Sequence, residues 1–342
     1  MAARTTRQAR ATIHDVARVA GVSLTTVSDV VNGKGRVDPR TRERVLAAVS
    51  EVDWRPRRSA RALRSGQSGV YALCLPRRHD AVDDWLLNAD YDMALVAACA
   101  SATVDSERQL LLAPRPRDIN DLGRLDVDGV IIADPREDDP ALDVLDGAGI
   151  PTVTIDRGVR TDGWSAETDT AGSTAKVLDH LAEQGATRIA LVTSDARWSW
   201  FENTSTAYEK WCSDRGVRPQ VRLINVDRPR TSAATAVRGL LRLKTPPDAI
   251  LTVPQGAALG ALDAINAAGR SAPDDVLLAA AMDGQLLQVS SPPITAVDLR
   301  PVEMARAAIE LLGRRVRGEH SVGPTVIETG LKIRQSSSRT GI

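Results

Sequence analysis

Residues 11–33, ATIHDVARVAGVSLTTVSDVVNG, decide how this chain is read. Ile13, Val16, Ala17 and Ala20 recur at i, i+3, i+4 and i+7, the spacing that lines one face of an α-helix. Thr12 with Asp15 has the pattern of a capping box, and Gly21 can turn left-handed to end the helix. Ser23 reads as the N-cap of a second helix whose apolar face is Val27, Val30 and Val31, closed by Asn32-Gly33. Asp38-Pro39 then supplies an N-cap and an N1 proline for a third helix burying Val45, Val49 and Val52. Two helices joined by a short glycine-containing turn form a helix-turn-helix, whose second helix enters the major groove of DNA. With the valines inward, Leu24, Thr25, Ser28, Asp29 and Asn32 project outward, small polar groups suited to base edges or phosphates.

The charge distribution agrees with that partner. The 342 residues have a net charge of zero, yet residues 1–66 carry fourteen Lys/Arg against six acids, so this segment is +8 and the remainder −8. With 43% hydrophobic and 26% charged residues the chain is an ordinary globular protein, long enough for two or three cores. Aromatics are only 3%, so those cores must be aliphatic. Cys74, Cys99 and Cys212 have neither CxxC nor zinc spacing and read as buried thiols. The N-terminus has no apolar signal region and no run of about eighteen apolar residues occurs, so a cytoplasmic protein without a membrane partner is expected.

Residues 54–69, basic and ending in Gly/Ser, read as a domain boundary. Beyond them apolar runs at 70–75, 109–113, 127–133, 150–155, 188–193, 221–226, 249–253 and 276–281 read as strands. They alternate with helical patterns at 91–106, 139–147, 170–184, 204–215, 232–243, 257–268 and 301–317, which implies parallel sheets flanked by helices. Eight strands over this length suit two lobes better than one. No GxSxG, HExxH, GxxxxGK[ST] or strand-linked GxGxxG is present, and His14, His79, His180 and His320 are dispersed; neither an enzyme nor a cofactor or metal site is expected.

Residues 11–33, followed by Arg36-Val37 and Thr41-Arg-Glu-Arg-Val45, closely resemble the head of the lac-repressor (LacI/GalR) family. The resemblance implies DNA contacts from Ser23, Thr25, Thr26, Ser28 and Asn32. Asp29 departs from it, standing where the family often has a basic or other base-reading side chain; the acid either reads a cytosine, restricts the operator, or is peripheral. Pro56 to Leu63 is similar to the family's hinge helix, which folds when two copies meet over the operator. Leu63 would then wedge into the minor groove, with Arg58 and Arg61 beside it.

The resemblance continues more loosely through Leu125-Asp-Val-Asp-Gly-Val-Ile-Ile132, Gly149-Ile-Pro-Thr-Val-Thr-Ile-Asp-Arg157 and Leu181-Ala-Glu-Gln-Gly185, and through Leu259-Gly-Ala-Leu262 and Pro273-Asp-Asp-Val276. It implies a small all-α helix-turn-helix head plus an α/β two-lobed, periplasmic-binding-protein-like sensor holding an effector between its lobes. The expected boundaries are 1–53 for the head, 54–67 for the hinge and 68–342 for the sensor, with lobes 68–164 plus 296–324 and 165–295 plus 325–342. Three polyol-binding groups of the family are missing or shifted: the cleft arginine aligns with Thr204, Asn-Asp with Pro254-Gln255, and Gly-aromatic-Asp-Asp with Ala280-Ala-Met-Asp283. Three unpaired sugar contacts at about 1–3 kcal/mol each would weaken hexose binding severely. Either the effector is not a typical sugar or the pocket is rebuilt, with Asp156, Gln255, Asp283 and the cluster Trp198, Trp200 and Phe201 on the loop after 188–193 as candidates. Altogether the sequence implies a homodimeric regulator, by expectation a repressor, on a pseudo-palindromic double-stranded operator; the alternative is a cytoplasmic solute-binding protein of the same sensor fold.

Overall fold

The computed structural model describes residues 11–31, 35–54, 67–76, 89–123, 125–136, 138–156, 162–196, 198–321 and 323–339. The chain divides into two compact units, Met1–Ser68 and Gly69–Ile342.

The first unit contains α1 (Ile13–Ala20), α2 (Leu24–Val31) and α3 (Pro39–Glu51). Their ends are set as the sequence indicates. The Thr12 backbone N–H and hydroxyl both donate to Asp15, and Gly21 adopts φ 62° at the C-terminus of α1. Ser23 Oγ accepts from Thr26 N at 3.1 Å, and Asp38 from Thr41 N at 3.2 Å. Each such cap stabilises its helix by about 1 kcal/mol. Val16, Ala17, Ala20, Val27, Val30, Val45 and Ala48 form the core, with Ile13, Val31, Val49 and Val52 packed against it. Arg44 ties α3 to α1 by donating to the Ala20 carbonyl at 3.0 Å.

In the second unit, the first lobe is a parallel sheet built from β1 (Val70–Cys74), β2 (Gln109–Leu112), β3 (Gly129–Ala133), β4 (Thr152–Ile155), β5 (Ser165–Thr168) and β11 (Thr325–Ile327), in the order β11-β5-β4-β3-β1-β2. Along β1, Tyr71 and Leu73 face a core shared with α4 (Ala89–Asp105) and α12 (Pro301–Val316). Ala72 and Cys74 face the opposite core, shared with α5 (Ile119–Leu122) and α6 (Pro140–Gly147). The period-two alternation thus serves two apolar layers, as a doubly covered parallel sheet requires.

The second lobe repeats the plan with β6 (Ile189–Thr193), β7 (Gln220–Leu223), β8 (Ala249–Thr252), β9 (Leu277–Ala280), β10 (Thr295–Asp298) and β12 (Gly330–Lys332), ordered β12-β10-β9-β8-β6-β7. Only β12 runs antiparallel, against β10. One face packs on α7 (Thr170–Glu183) and α8 (Ser199–Asp214), the other on α9 (Pro229–Leu241) and α10 (Gln255–Ala267). A short α11 (Gln285–Gln288) follows β9. Burial pushes the thiols of Cys74 and Cys99 up to about 12, so both behave as small apolar side chains.

Four strands of the sensor, β5, β10, β11 and β12, lie outside the eight apolar runs. Consequently the lobe boundaries move: β5 and β11 belong to the first sheet rather than the second, and β10 wholly to the second. The chain passes between lobes after β5, after β10 and between β11 and β12. The first turn of α8 also begins five residues before the expected helix, so Trp200 and Phe201 are helical and Trp198 is its N-cap. Their ring packing, with Phe201 centroids 5.6 Å from Trp198 and 5.5 Å from Trp200, completes a turn that the polar residues alone do not announce. Among the described residues no helix is long and apolar enough to cross a membrane.

Candidate functional site

In the head, the N-terminus of α2 carries the candidate surface. Leu24 is 39% exposed and Ser23 and Thr25 are exposed, whereas Thr26, Ser28 and Asp29 are half-buried. Ser23 Oγ also bonds Thr26 Oγ1 at 2.9 Å, so these two hydroxyls stiffen the first turn that presents Leu24 and Thr25. Asp29 lies low on the helix: a Cβ added at Gly35 would stand 3.3 Å from its Oδ2, which places the carboxylate beside the α2–α3 turn. Asn32, Arg58, Arg61 and Leu63, expected at the DNA surface, lie outside the described residues, as does most of the expected hinge.

In the sensor a cavity opens where the carboxyl ends of both parallel sheets meet, the position at which open α/β sheets bind ligands. From the first lobe come Pro76 after β1, Asp134 after β3, Asp156 after β4 and Thr168 at the end of β5. The second lobe supplies Trp198 after β6, Pro254 after β8, Met282 after β9 and Leu299 after β10. Tyr91 and Asp92 from α4, and Trp200 and Phe201 from α8, complete the walls of a small cavity of about 30 Å³. A second, more polar hollow continues outward past Asp156, Thr168 and Trp200 to Asn203 and Lys210.

Two carboxylates at the floor sit on unusual backbone. Asp134 has φ 47° and Asp156 φ 65°, left-handed values that cost a non-glycine residue of order 1 kcal/mol and that Asp tolerates better than most. Arg115 helps hold the first turn, donating to the carbonyls of Ala133 and Asp134 while its other Nη pairs with Asp139. Asp156 accepts from Thr168 N at 3.4 Å, and burial pushes its carboxyl up to about 6. The Tyr91 hydroxyl is buried without a hydrogen-bond partner among the described residues. Burial first, then the carboxylates of Asp156, Asp92 and Asp134, raise its pKa well above the usual phenol value.

The seven candidate effector residues do not all converge. Asp156, Trp198, Trp200 and Phe201 line the cavity, whereas Thr204, Gln255 and Asp283 do not. Thr204 is fully buried on α8 and its hydroxyl has no hydrogen-bond partner among the described residues. Gln255 is fully buried too, its amide nitrogen 3.3 Å from Asp90 Oδ2 across the lobes. Asp283 is taken up by Arg334 in two hydrogen bonds of 2.8 and 2.6 Å. A carboxylate so paired has its oxygens committed, which is why sequence position alone misplaced it. Tyr91 and Asp134 were missed; Asp134 carries the same signal as Asp156, an Asp ending an apolar strand.

Residues 12–57 match the family described as bacterial regulatory proteins, lacI family, and residues 178–337 match the periplasmic binding protein-like domain. The HTH-type transcriptional regulator CelR of Thermobifida fusca is 30% identical, the match covering 96% of this chain and 99% of CelR. A solved complex of CelR with cellobiose superposes with a TM-score of 0.68 at 27% identity, covering 96% of this chain and all of that one. The lac repressor dimer bound to operator and the anti-inducer ONPF superposes with a TM-score of 0.84 at 23% identity, covering 96% and 99%, a likeness of fold.

Proposed function

The chain belongs to the LacI family of bacterial regulatory proteins, and from that premise we propose that it is a transcriptional repressor that binds a pseudo-palindromic operator as a homodimer in the cytoplasm and responds to a small molecule held between its sensor lobes. The observation that carries this reading is the pairing, in one chain, of a capped helix-turn-helix presenting Leu24 and Thr25 with a separate sensor whose cavity lies at the carboxyl ends of two sheets.

In this account residues 1–53 read one half-site each, with Ser23, Leu24, Thr25, Thr26, Ser28, Asp29 and Asn32 at the groove. Residues 54–67 pair over the operator centre, where Arg58 and Arg61 meet phosphates and Leu63 kinks the minor groove. Residues 68–342 sense the effector through Asp156, Trp198, Trp200 and Phe201, joined by Tyr91 and Asp134. Effector binding changes the angle between lobes and with it the spacing of the two hinges. Such coupling is reciprocal: the operator alters effector affinity by the same factor. Selection of bound duplexes from random DNA, with and without candidate metabolites, tests the proposal. A two-fold-related consensus whose affinity shifts with one metabolite supports it, and absence of any preferred duplex at low salt overturns it.

A further inference from the structure

This inference rests on the operator reading above and gives it a chemical class: we propose that Leu24 is a specificity-determining residue of the head and reads the 5-methyl group of a thymine in each half-site, so that recognition follows a methyl group more than a hydrogen-bonding edge.

The composition of α2 is the first argument. Its residues, Leu24-Thr-Thr-Val-Ser-Asp-Val-Val31, include no Arg, Lys, Asn or Gln. Those are the side chains that select purine edges in the major groove, Arg and Lys pairing with guanine, Asn and Gln with adenine. A groove-entering α2 is left with hydroxyls, one carboxylate and apolar surface. Hydroxyls bond either base type and therefore select weakly.

The second argument is where these groups stand. The Ser23 and Thr26 hydroxyls bond each other at 2.9 Å, and Ser23 Oγ also accepts the Thr26 N–H at 3.1 Å, so both are engaged in starting the helix. Asp29 is half-buried beside the α2–α3 turn, more than one turn of helix behind Leu24. Val27 and Val30 belong to the core, at 0% and 4% exposure. Leu24 stands 39% exposed at the N-terminal end of α2, the end from which a recognition helix touches base edges, with Thr25 exposed beside it. Leu46, the other large apolar side chain exposed among the head's described residues, is on α3.

The match is chemical. Apolar surface left in water is stabilised only where another apolar group covers it, and the thymine methyl is what the major-groove edges of the bases offer for that purpose. Covering one methyl group contributes about fourfold in affinity.

The test uses full-length protein and the duplex selected from random DNA, read by fluorescence anisotropy. Thymine is replaced by uracil, which differs only in lacking the methyl, at one two-fold-related pair of positions at a time. At least one pair should lower affinity by about fifteenfold, about fourfold for each half-site. At that pair 5-methylcytosine should bind more tightly than cytosine by a similar factor, because the methyl returns without the thymine edge. Leu24→Ala puts a good helix former at an exposed position, so the fold should be kept, and affinity for an unrelated duplex at low salt should equal that of the wild type. The variant should bind the thymine and uracil duplexes alike. A selected duplex in which no uracil pair weakens binding would overturn the assignment. So would a methyl effect that persists in Leu24→Ala, which would pass the contact to Thr25. The operator reading fails separately: random DNA that yields no preferred duplex removes both, whereas a preferred duplex indifferent to uracil removes the methyl contact alone.

Discussion

The Asp90 carboxylate, on the first lobe, accepts a 2.7 Å hydrogen bond from the backbone N–H of Gln285 on the second. The same Oδ2 meets Gln255 Nε2 at 3.3 Å, so one oxygen bridges the lobes beside the cavity. Hydrogen bonds to an ionised group contribute about 1.5–3 kcal/mol when shielded from water. Asp90→Ala should therefore loosen lobe closure and weaken effector binding by about tenfold, and by linkage alter operator affinity in the presence of effector. Calorimetric affinity equal to the wild type would show the bridge to be incidental.

Gly284 offers an independent route to the same latch. Its φ of −176° is ordinary extended backbone, but a Cβ there would stand 1.7 Å from Gln255 Nε2 and 2.9 Å from Asp90 Oδ2. Gly284→Ala should reproduce the Asp90→Ala phenotype, and the double variant should show markedly less than the sum of the two losses. Full additivity in a double-mutant cycle would separate the positions.

Asp283 and Arg334 pair with side chains only 15% and 17% exposed, joining the loop after β9 to the C-terminal segment. Removing one partner strands a buried charge, so Arg334→Ala should cost about 3–5 kcal/mol of sensor stability in urea unfolding. Replacing both by Leu and Met should restore most of it. Effector affinity per folded molecule should change little, because neither side chain lines the cavity.

His180 makes the sensor sensitive to mild acid. Burial lowers its pKa, against smaller raising effects from Glu183 and the hydrogen bond to Ser337, where Nε2 and Oγ are 2.7 Å apart. The unfolded chain then takes up a proton more readily than the folded one, so His180 removes stability as pH falls below the ordinary value of 6.5. Asp156, raised from 3.8 to about 6, acts in the opposite sense: its folded form holds a proton more firmly, so stability is gained as pH falls through that window. His180→Gln should flatten the acid loss seen in urea midpoints; an unchanged slope between about pH 5 and pH 7 would assign it elsewhere.

For the head, Leu63→Ala and Thr25→Ala should each lower operator affinity and leave effector binding to unliganded protein unchanged. The expected losses are about 1–3 kcal/mol, read by fluorescence anisotropy on the selected duplex. No loss for Leu63→Ala would remove the minor-groove wedge from the account.

Much of this architecture was legible because its strongest elements write themselves plainly. The strands Gly129–Ala133, Ile189–Thr193, Ala249–Thr252 and Leu277–Ala280 are buried on both faces and so appear as continuous apolar runs. Ser165–Thr168 and Gly330–Lys332 carry little apolar signal and are three or four residues long; neighbouring strands, not their own composition, make them β. In the cavity, Asp156 and the Trp198–Phe201 cluster were visible through rarity and position. Tyr91 was not, since it enters from the start of a helix with no local pattern marking its hydroxyl as buried. The misplacement of Asp283 has the opposite cause: its partner, Arg334, lies fifty-one residues away in sequence.

The three passages between lobes, Thr168 to Thr170, Asp298 to Pro301 and Ile327 to Gly330, are each only a few residues long. Three short tethers working in concert tolerate changes of side chain but not of span, because a residue added to one would leave it slack while its companions stay taut. Insertions and deletions should accordingly be rare at these joints and common at the outer edges of the sheets, so the length of the straps, more than their chemistry, would keep the two halves in step.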